Sequence, residues 1–268
     1  MKNGKLKKLE SIIKKTGSAV VAYSGGLDST FLLKTAIDTL GKDNVLAVTA
    51  RSETYPESEY NEAVRAAKRI GARHVTIQTR ELSIKNFRSN PVNRCYYCKR
   101  ELFSKLDGIR RRCALAAVMD GTNYDDLKDV RYGRFAAKEL KVLSPLLKAK
   151  IGKKDIRVFS KSMGLPTWDK PSFACLASRV PFHSDITAKD LRRIDRAERY
   201  LKLLGFRQVR VRSHKDIARI ELSRADLAKA LRHAQAISSR LKRLGFTYAA
   251  LDLEGYRTGS MHEAPGEV

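Results

Sequence analysis

Six residues, Ser24-Gly25-Gly26-Leu27-Asp28-Ser29, combine the features of an anion cradle. Adjacent glycines let a backbone come close to a bound anion, and N–H groups at the opening of a helix favour phosphate. Ser24 and Ser29 add hydroxyl donors. Asp28 would repel a bare phosphate, so its expected task is to hold Mg2+ or a neighbouring backbone amide. The loop lacks the Lys-Ser/Thr ending of a Walker A loop and the G-x-G-x-x-G of a dinucleotide fold. Taken alone, it would also suit an ordinary strand–helix turn.

Cys95-Tyr96-Tyr97-Cys98 is the second group with chemistry in it. A C-x-x-C pair fits a redox dithiol, half a zinc site or part of an iron–sulfur site. Cys175 stands far downstream, and Cys113, ahead of an apolar stretch, reads as a buried small hydrophobe. Thiolates from Cys95, Cys98 and Cys175 on a [4Fe-4S] cluster would leave one iron open for an exogenous ligand such as sulfide. Coincidental thiols are the plain alternative.

The elements around these residues alternate. The apolar run 18–23 leads into the glycine loop, and Phe31, Leu32, Leu33, Ala36, Ile37 and Leu40 then repeat at helical spacing before Gly41. Strands are expected at 44–50, 73–78 and 114–119, with helices at 57–70, after Cys98 and at 153–163. This order predicts an α/β fold with a parallel sheet covered on both faces. Ser52 and Asp120-Gly121-Thr122-Asn123 follow strands, at the carboxyl ends where open α/β sheets bind ligands.

The pattern changes near residue 180, which divides a domain over 1–180 from an α+β domain over 181–268. Thr187 can cap a helix with the stripe Leu191, Ile194, Ala197, Leu201 and Leu204; strands are expected at 207–213, 216–222 and 247–253. Ser223 with Asp226 starts a helix reaching Leu244. LKLLGF at 201–206 and LKRLGF at 241–246 form an internal echo. Arg210 and Arg212 alternate along a strand and so share a face, where guanidinium forks suit phosphate or simply face solvent. Residues after Gly255 read as a polar tail.

The chain of 268 residues is 43% hydrophobic, which excludes wholesale disorder, and its formal charge of +25 favours anionic partners without choosing among them. No stretch reaches the ~18 apolar residues of a membrane span. Met1 to Lys15 is basic, without the apolar segment of a secretory signal, so a cytoplasmic location is expected. Four cysteines are too few for a disulfide scaffold.

Ser24-Gly25-Gly26-Leu27-Asp28-Ser29 resembles the PP-loop of the N-type ATP pyrophosphatases, which split ATP between the α- and β-phosphates. Asn93 to Lys99, Asp120 to Asn123, Lys170-Pro171, Cys175-Leu176-Ala177-Ser178-Arg179, Val209 to Arg212 and Ala218 to Glu221 are together similar to the LarE sulfur transferases, over about residues 18–260. The resemblance implies ATP and Mg2+ at Ser24, Gly25, Gly26, Asp28, Ser29, Ser52, Gly121 and Thr122, with a [4Fe-4S] cluster on Cys95, Cys98 and Cys175. It further implies a catalytic role for Asp28 and Cys175. Its acceptor is a small anionic nucleotide, a pyridinium dicarboxylate mononucleotide, met by Glu198, Arg210 and Arg212, in a homo-oligomer. Glu198 could instead pair with an arginine. The sulfide donor is unspecified. Arg131-Tyr132-Gly133 and Pro181-Phe182-His183 depart from the Arg-Pro-Gly and Pro-Tyr-Gly common in that family, which leaves substrate detail open; His183 is either a substrate contact or a surface residue.

Three rivals share parts of this pattern. A transfer RNA thiolase would use the same loop and cluster, and the positive charge suits RNA, yet neither flanking zinc ribbons nor a recognised RNA-binding module is evident. An amide-forming ligase would use ammonia and leave the cysteines structural. A nucleotide sensor would bind ATP without turnover.

Overall fold

The structure is a computed structural model and describes residues 2–127, 132–171 and 173–257. The chain divides into two compact units, one of residues 1–81 with 93–173 and the other of 82–92 with 174–268. The second unit thus begins at Ala174, ahead of the boundary read near 180, and takes in a short segment from the middle of the chain.

The first unit runs α1 (Lys2–Lys14), β1 (Ala19–Ala22), α2 (Leu27–Leu40), β2 (Val45–Arg51), α3 (Glu57–Ile70) and β3 (Arg73–Gln78). After α4 (Lys85–Arg88), which belongs to the second unit, it resumes with α5 (Arg94–Arg112), β4 (Ala117–Met119), α6 (Gly133–Glu139), α7 (Pro145–Lys148) and α8 (Lys153–Ser162). The four strands are parallel in the order β3-β2-β1-β4, with Val20 level with Leu46 and Val118.

Alternation along β1 explains the two cores. Ala19 and Val21 point into a cluster with Phe31, Leu33, Ala36, Ile156 and Phe159, while Val20 points the other way to Leu46, Val48, Phe103, Leu106 and Val118. A central parallel strand buried on both faces must be apolar at every position, which is why 18–23 shows no polar alternation. β3 lies at the sheet edge and is mostly exposed, in keeping with its Arg73, Thr76 and Gln78.

Helix α5 starts at Arg94, not after Cys98. Tyr96 packs on the same core as Phe103, seven residues on, so the apolar stripe extends two turns further back than its aliphatic part shows. Cys95 and Cys98 therefore sit within the first turns of a 19-residue helix. Cys113 caps the carboxyl end of this helix and is exposed, not buried, because the strand begins only at Ala117.

The second unit contains α9 (Ala188–Leu203), β5 (Val209–His214), β6 (Ile217–Leu222), α10 (Leu227–Arg232), α11 (Ala234–Arg243) and β7 (Tyr248–Leu251). Thr187 caps α9 by accepting from the Asp190 N–H at 3.0 Å. β5 and β6 are antiparallel, and β6 and β7 are parallel. The expected helix from Ser223 to Leu244 is broken at His233, whose ring makes an edge contact with Phe206. The sequence echo becomes a structural one: Phe206 N–H donates to Leu201 and Phe246 N–H to Leu241, each after a glycine at positive φ, Gly205 and Gly245.

Phe31 is fully buried between α2 and α8 and stacks on Phe159 with centroids 5.8 Å apart. Phe31→Ala should cost about 3–5 kcal/mol, read as a lower denaturant midpoint at unchanged slope.

Candidate functional site

The glycine loop leaves β1 and enters α2 at the carboxyl edge of the sheet. Tyr23 continues the strand by donating its N–H to Val48 O at 2.9 Å. Ser29 Oγ lies 3.1 Å from Ser24 Oγ, accepts from Ser24 N–H at 3.3 Å and reaches Gly26 O at 3.3 Å, so one hydroxyl laces the loop together. Gly25 has φ +61°, and a Cβ there would lie 2.5 Å from Ala63 Cβ on α3. Both facts require glycine.

Asp28 does not hold a neighbouring backbone amide; its partners are side chains. Its Oδ2 pairs with Lys153 Nζ and accepts from Asn123 Nδ2 at 3.4 Å, and its Oδ1 is buried with no hydrogen-bond partner. Burial pushes the Asp28 carboxyl above the ordinary aspartate range, against the pull of Lys153, while nearby Asp126 adds to the rise. One orphaned oxygen beside a second carboxylate is a fit for Mg2+, which takes one or two carboxylates together with substrate phosphates.

Two further segments complete this corner. Gly121 packs against the start of α2, where a Cβ would lie 3.1 Å from Ser29 N. Thr122 Oγ1 donates to Asp120 Oδ2 at 2.6 Å. Asn123 is fully buried, and its N–H donates to Asp126 at 3.1 Å. Lys153 is aimed by its own N–H, which donates to Asp125 Oδ2 at 2.8 Å. Sequence reasoning missed Lys153; a Gly-Lys pair opening a helix was its only local signal. It also missed Tyr55, whose hydroxyl donates to Ser24 O at 2.8 Å.

Ser52 follows β2, 2.9 Å from Thr54 Oγ1. Glu81 is buried; burial raises its carboxyl, against hydrogen bonds that include Thr79 and Ser52. Cys98 Sγ lies 3.9 Å from Glu81 Oε1. Cys95 and Cys98, three apart, share a helix face in the opening turns of α5. The pair suits two ligands of a thiophilic metal. Among the described residues no three His, Cys, Asp or Glu side chains are gathered to hold a metal ion, and Cys175 belongs to the second unit.

In the second unit Glu198 and Arg212 are engaged in ion pairs. Arg179 meets Glu198 at 2.9 and 3.1 Å, and Glu198 also accepts from Val211 N–H at 3.0 Å. Arg212 meets Glu221 at 2.9 Å twice and donates to Ser178 O at 2.7 Å. Arg210 lies on the same strand face as Arg212, with its guanidinium 4.7 Å from the centre of the Tyr256 ring. Burial and the neighbouring Arg179 depress its pKa. Among the described residues it makes no ion pair. His183 is exposed at φ +62°, and Arg131 lies outside the described residues.

A parallel α/β sheet with a glycine-rich loop between its first strand and the following helix, and a half-buried aspartate at the end of that loop, defines a PP-loop ATP pyrophosphatase fold. The NAD synthase family matches residues 3–95. An ammonia-dependent NAD+ synthetase of Methanopyrus kandleri is 32% identical over 106 residues, 38% of this chain and 37% of its own length. Over nearly the whole chain, an uncharacterised protein of Synechocystis is 41% identical, covering 98% of each sequence. The pyridinium-3,5-bisthiocarboxylic acid mononucleotide synthase of Lactiplantibacillus plantarum is 38% identical over 95% of this chain and 92% of its own length. The chain belongs to the LarE family of ATP-dependent sulfur transferases.

Two outcomes follow. If Asp28 is the Mg2+ ligand, protons compete with the ion for it, and Mg2+-dependent ATP affinity should fall about tenfold per pH unit below the raised Asp28 value, beginning at a higher pH than for an ordinary aspartate. Fluorescence titration of nucleotide across pH measures this. The sign for stability is opposite: a raised carboxyl contributes below its unfolded pKa and loses that contribution as pH rises through the folded one. Second, Glu221→Ala strands the buried Arg212 charge and should cost about 3–5 kcal/mol, whereas Arg212→Met with Glu221→Leu should fold with near wild-type stability in a denaturant series.

Proposed function

We propose that this chain adenylylates a carboxylate of a pyridinium-3,5-dicarboxylate mononucleotide and exchanges one of its oxygens for sulfur, for synthesis of a nickel-pincer cofactor. The observation that carries this reading is the joining of an ATP pyrophosphatase loop to full-length similarity with the Lactiplantibacillus enzyme, named for the bisthiocarboxylic acid product.

Carboxylate oxygen is a poor leaving group. Attack by that oxygen on the α-phosphorus of ATP breaks the α–β bridge, giving an acyl adenylate and pyrophosphate. Sulfide then adds to the acyl carbon and AMP departs with the oxygen, so no electrons change hands. Ser24, Gly25, Gly26 and Ser29 cradle the departing pyrophosphate with hydroxyls and loop N–H groups, and Asp28 would hold Mg2+, which when bound supplies positive charge for the pyrophosphate. Lys153, paired with Asp28, brings a cation to the same phosphates. Ser52, Gly121 and Thr122, at strand ends, line the nucleotide site.

Cys95, Cys98 and Cys175 are the residues that would hold a [4Fe-4S] cluster, which when bound supplies one iron without a protein ligand as a place for sulfide. The spacing of Cys95 and Cys98 on one face of α5 supports joint ligation of one metal centre. Arg210 meets the acceptor's anionic groups, while Glu198 and Arg212, through Arg179 and Glu221, fix the strand that carries it.

The test is anaerobic purification with iron and sulfide analysis, then incubation with ATP, sulfide and the dicarboxylate nucleotide, with mass spectrometry of the product. A mass gain for oxygen-to-sulfur exchange, with stoichiometric AMP and pyrophosphate, is expected. Cys95→Ala, Cys98→Ala and Cys175→Ala should each lose the visible chromophore, and Cys113→Ala should keep it. Full sulfur transfer by Cys175→Ala would overturn the three-ligand assignment.

A further inference from the structure

Two hydrogen bonds at the back of the glycine loop have no place in the chemistry above. The Tyr55 hydroxyl donates to Ser24 O at 2.8 Å, and Lys170 Nζ donates to Gly25 O at 3.4 Å. They hold consecutive carbonyls of the loop. In a trans peptide the C=O of one residue and the N–H of the next point in opposite directions. Drawing Ser24 C=O toward Tyr55 therefore turns Gly25 N–H away from it, and drawing Gly25 C=O toward Lys170 turns Gly26 N–H away in the same manner. Among the described residues, the N–H groups of Gly25, Gly26, Leu27 and Asp28 have no protein acceptor. Four such donors in a row, across the glycine turn and the opening turn of α2, suit a bound anion.

We infer that Tyr55 and Lys170 are positioning residues that aim the loop's N–H groups at the phosphates, an inference that rests on the nucleotide reading of this site. Neither touches the reacting atoms. Both donors are themselves held. Tyr55 makes an edge contact with Phe173, centroids 6.0 Å apart. Lys170 is pinned by Glu59 and Glu62, each at 2.8 Å. Burial would lower the Lys170 pKa, but the two glutamates carry it above the ordinary lysine value; burial raises Tyr55. Each thus keeps its proton across the working pH range. Ala63 of α3, against Gly25, closes the same side of the loop to side chains.

Tyr55→Phe removes one donor and keeps the ring; Lys170→Met removes the other, and Lys170→Arg retains a charged donor. Calorimetric titration of each full-length variant with magnesium pyrophosphate, MgATP and adenosine separates aiming from folding. Tyr55→Phe should weaken pyrophosphate and ATP binding roughly fivefold to tenfold while adenosine affinity and the thermal midpoint stay near wild type. Lys170→Met should weaken the phosphate ligands at least as much, with partial rescue by Lys170→Arg. Wild-type binding with unchanged pyrophosphate affinity in Tyr55→Phe would overturn the inference alone, as would an equal loss of adenosine. Failure of the wild-type protein to bind either phosphate ligand would overturn the nucleotide reading and this inference with it. If Lys170→Met does not fold, Tyr55→Phe carries the test.

Discussion

A carboxylate held mostly out of water at the start of α2 is the constraint around which the first unit is organised. Asp28 can persist there only because Lys153 and Asn123 are delivered to it, and each arrives from a different part of the chain. Asn123 comes on the turn after β4, where Gly121 permits contact with α2 and where Asp126 holds the Asn123 N–H. Lys153 comes on the first residue of α8, aimed by Asp125. Loss of either would leave charge in a low-dielectric corner uncompensated. The same incomplete compensation leaves Asp28 Oδ1 without a partner, the opening a divalent cation can use.

The second unit answers a comparable problem with opposite proportions. Arginines outnumber the acids they meet on the β5–β6 face, and burial there is tolerated through two-pronged pairs, Arg179 with Glu198 and Arg212 with Glu221. Planar forks satisfy both carboxylate oxygens at once, which a lysine could not do. These pairs hold the strand and its preceding helix in register and leave Arg210 with the face of Tyr256. Two arginines that look interchangeable in sequence are thus separated by their neighbours: Arg212 is spent on Glu221, and Arg210 is left beside the Tyr256 ring.

Much of the architecture was legible from residue pattern. The strands at 44–50 and 73–78, the helix at 57–70 and the capped helix after Thr187 match the observed elements to within about two residues, since each carries a complete periodic stripe with clear stop residues. The departures arise where a stripe depends on a distant partner. Tyr96 lengthens α5 because it packs on the second core, and His233 interrupts the last helix against Phe206. The reading of Cys113 as buried fails because the apolar run after it becomes a strand only at Ala117, so the chain first leaves α5 through an exposed cap.

Sequence by itself determined which chemistry is available: a glycine loop with its own aspartate, a thiol pair at one helical turn's spacing, and alternating arginines on one strand. Local order suffices for these, because a loop, a helix face and a strand face are set by neighbours in the chain. Only the tertiary structure decided which charges are spent on one another. Lys153 and Lys170 are two among 54 Lys and Arg residues, and neither the Gly-Lys pair at one nor the Lys-Pro pair at the other says which groups their ammonium ions meet. What distinguishes them is proximity to Asp28 and to the loop carbonyls, and side-chain pairing across more than a hundred residues is fixed by packing alone.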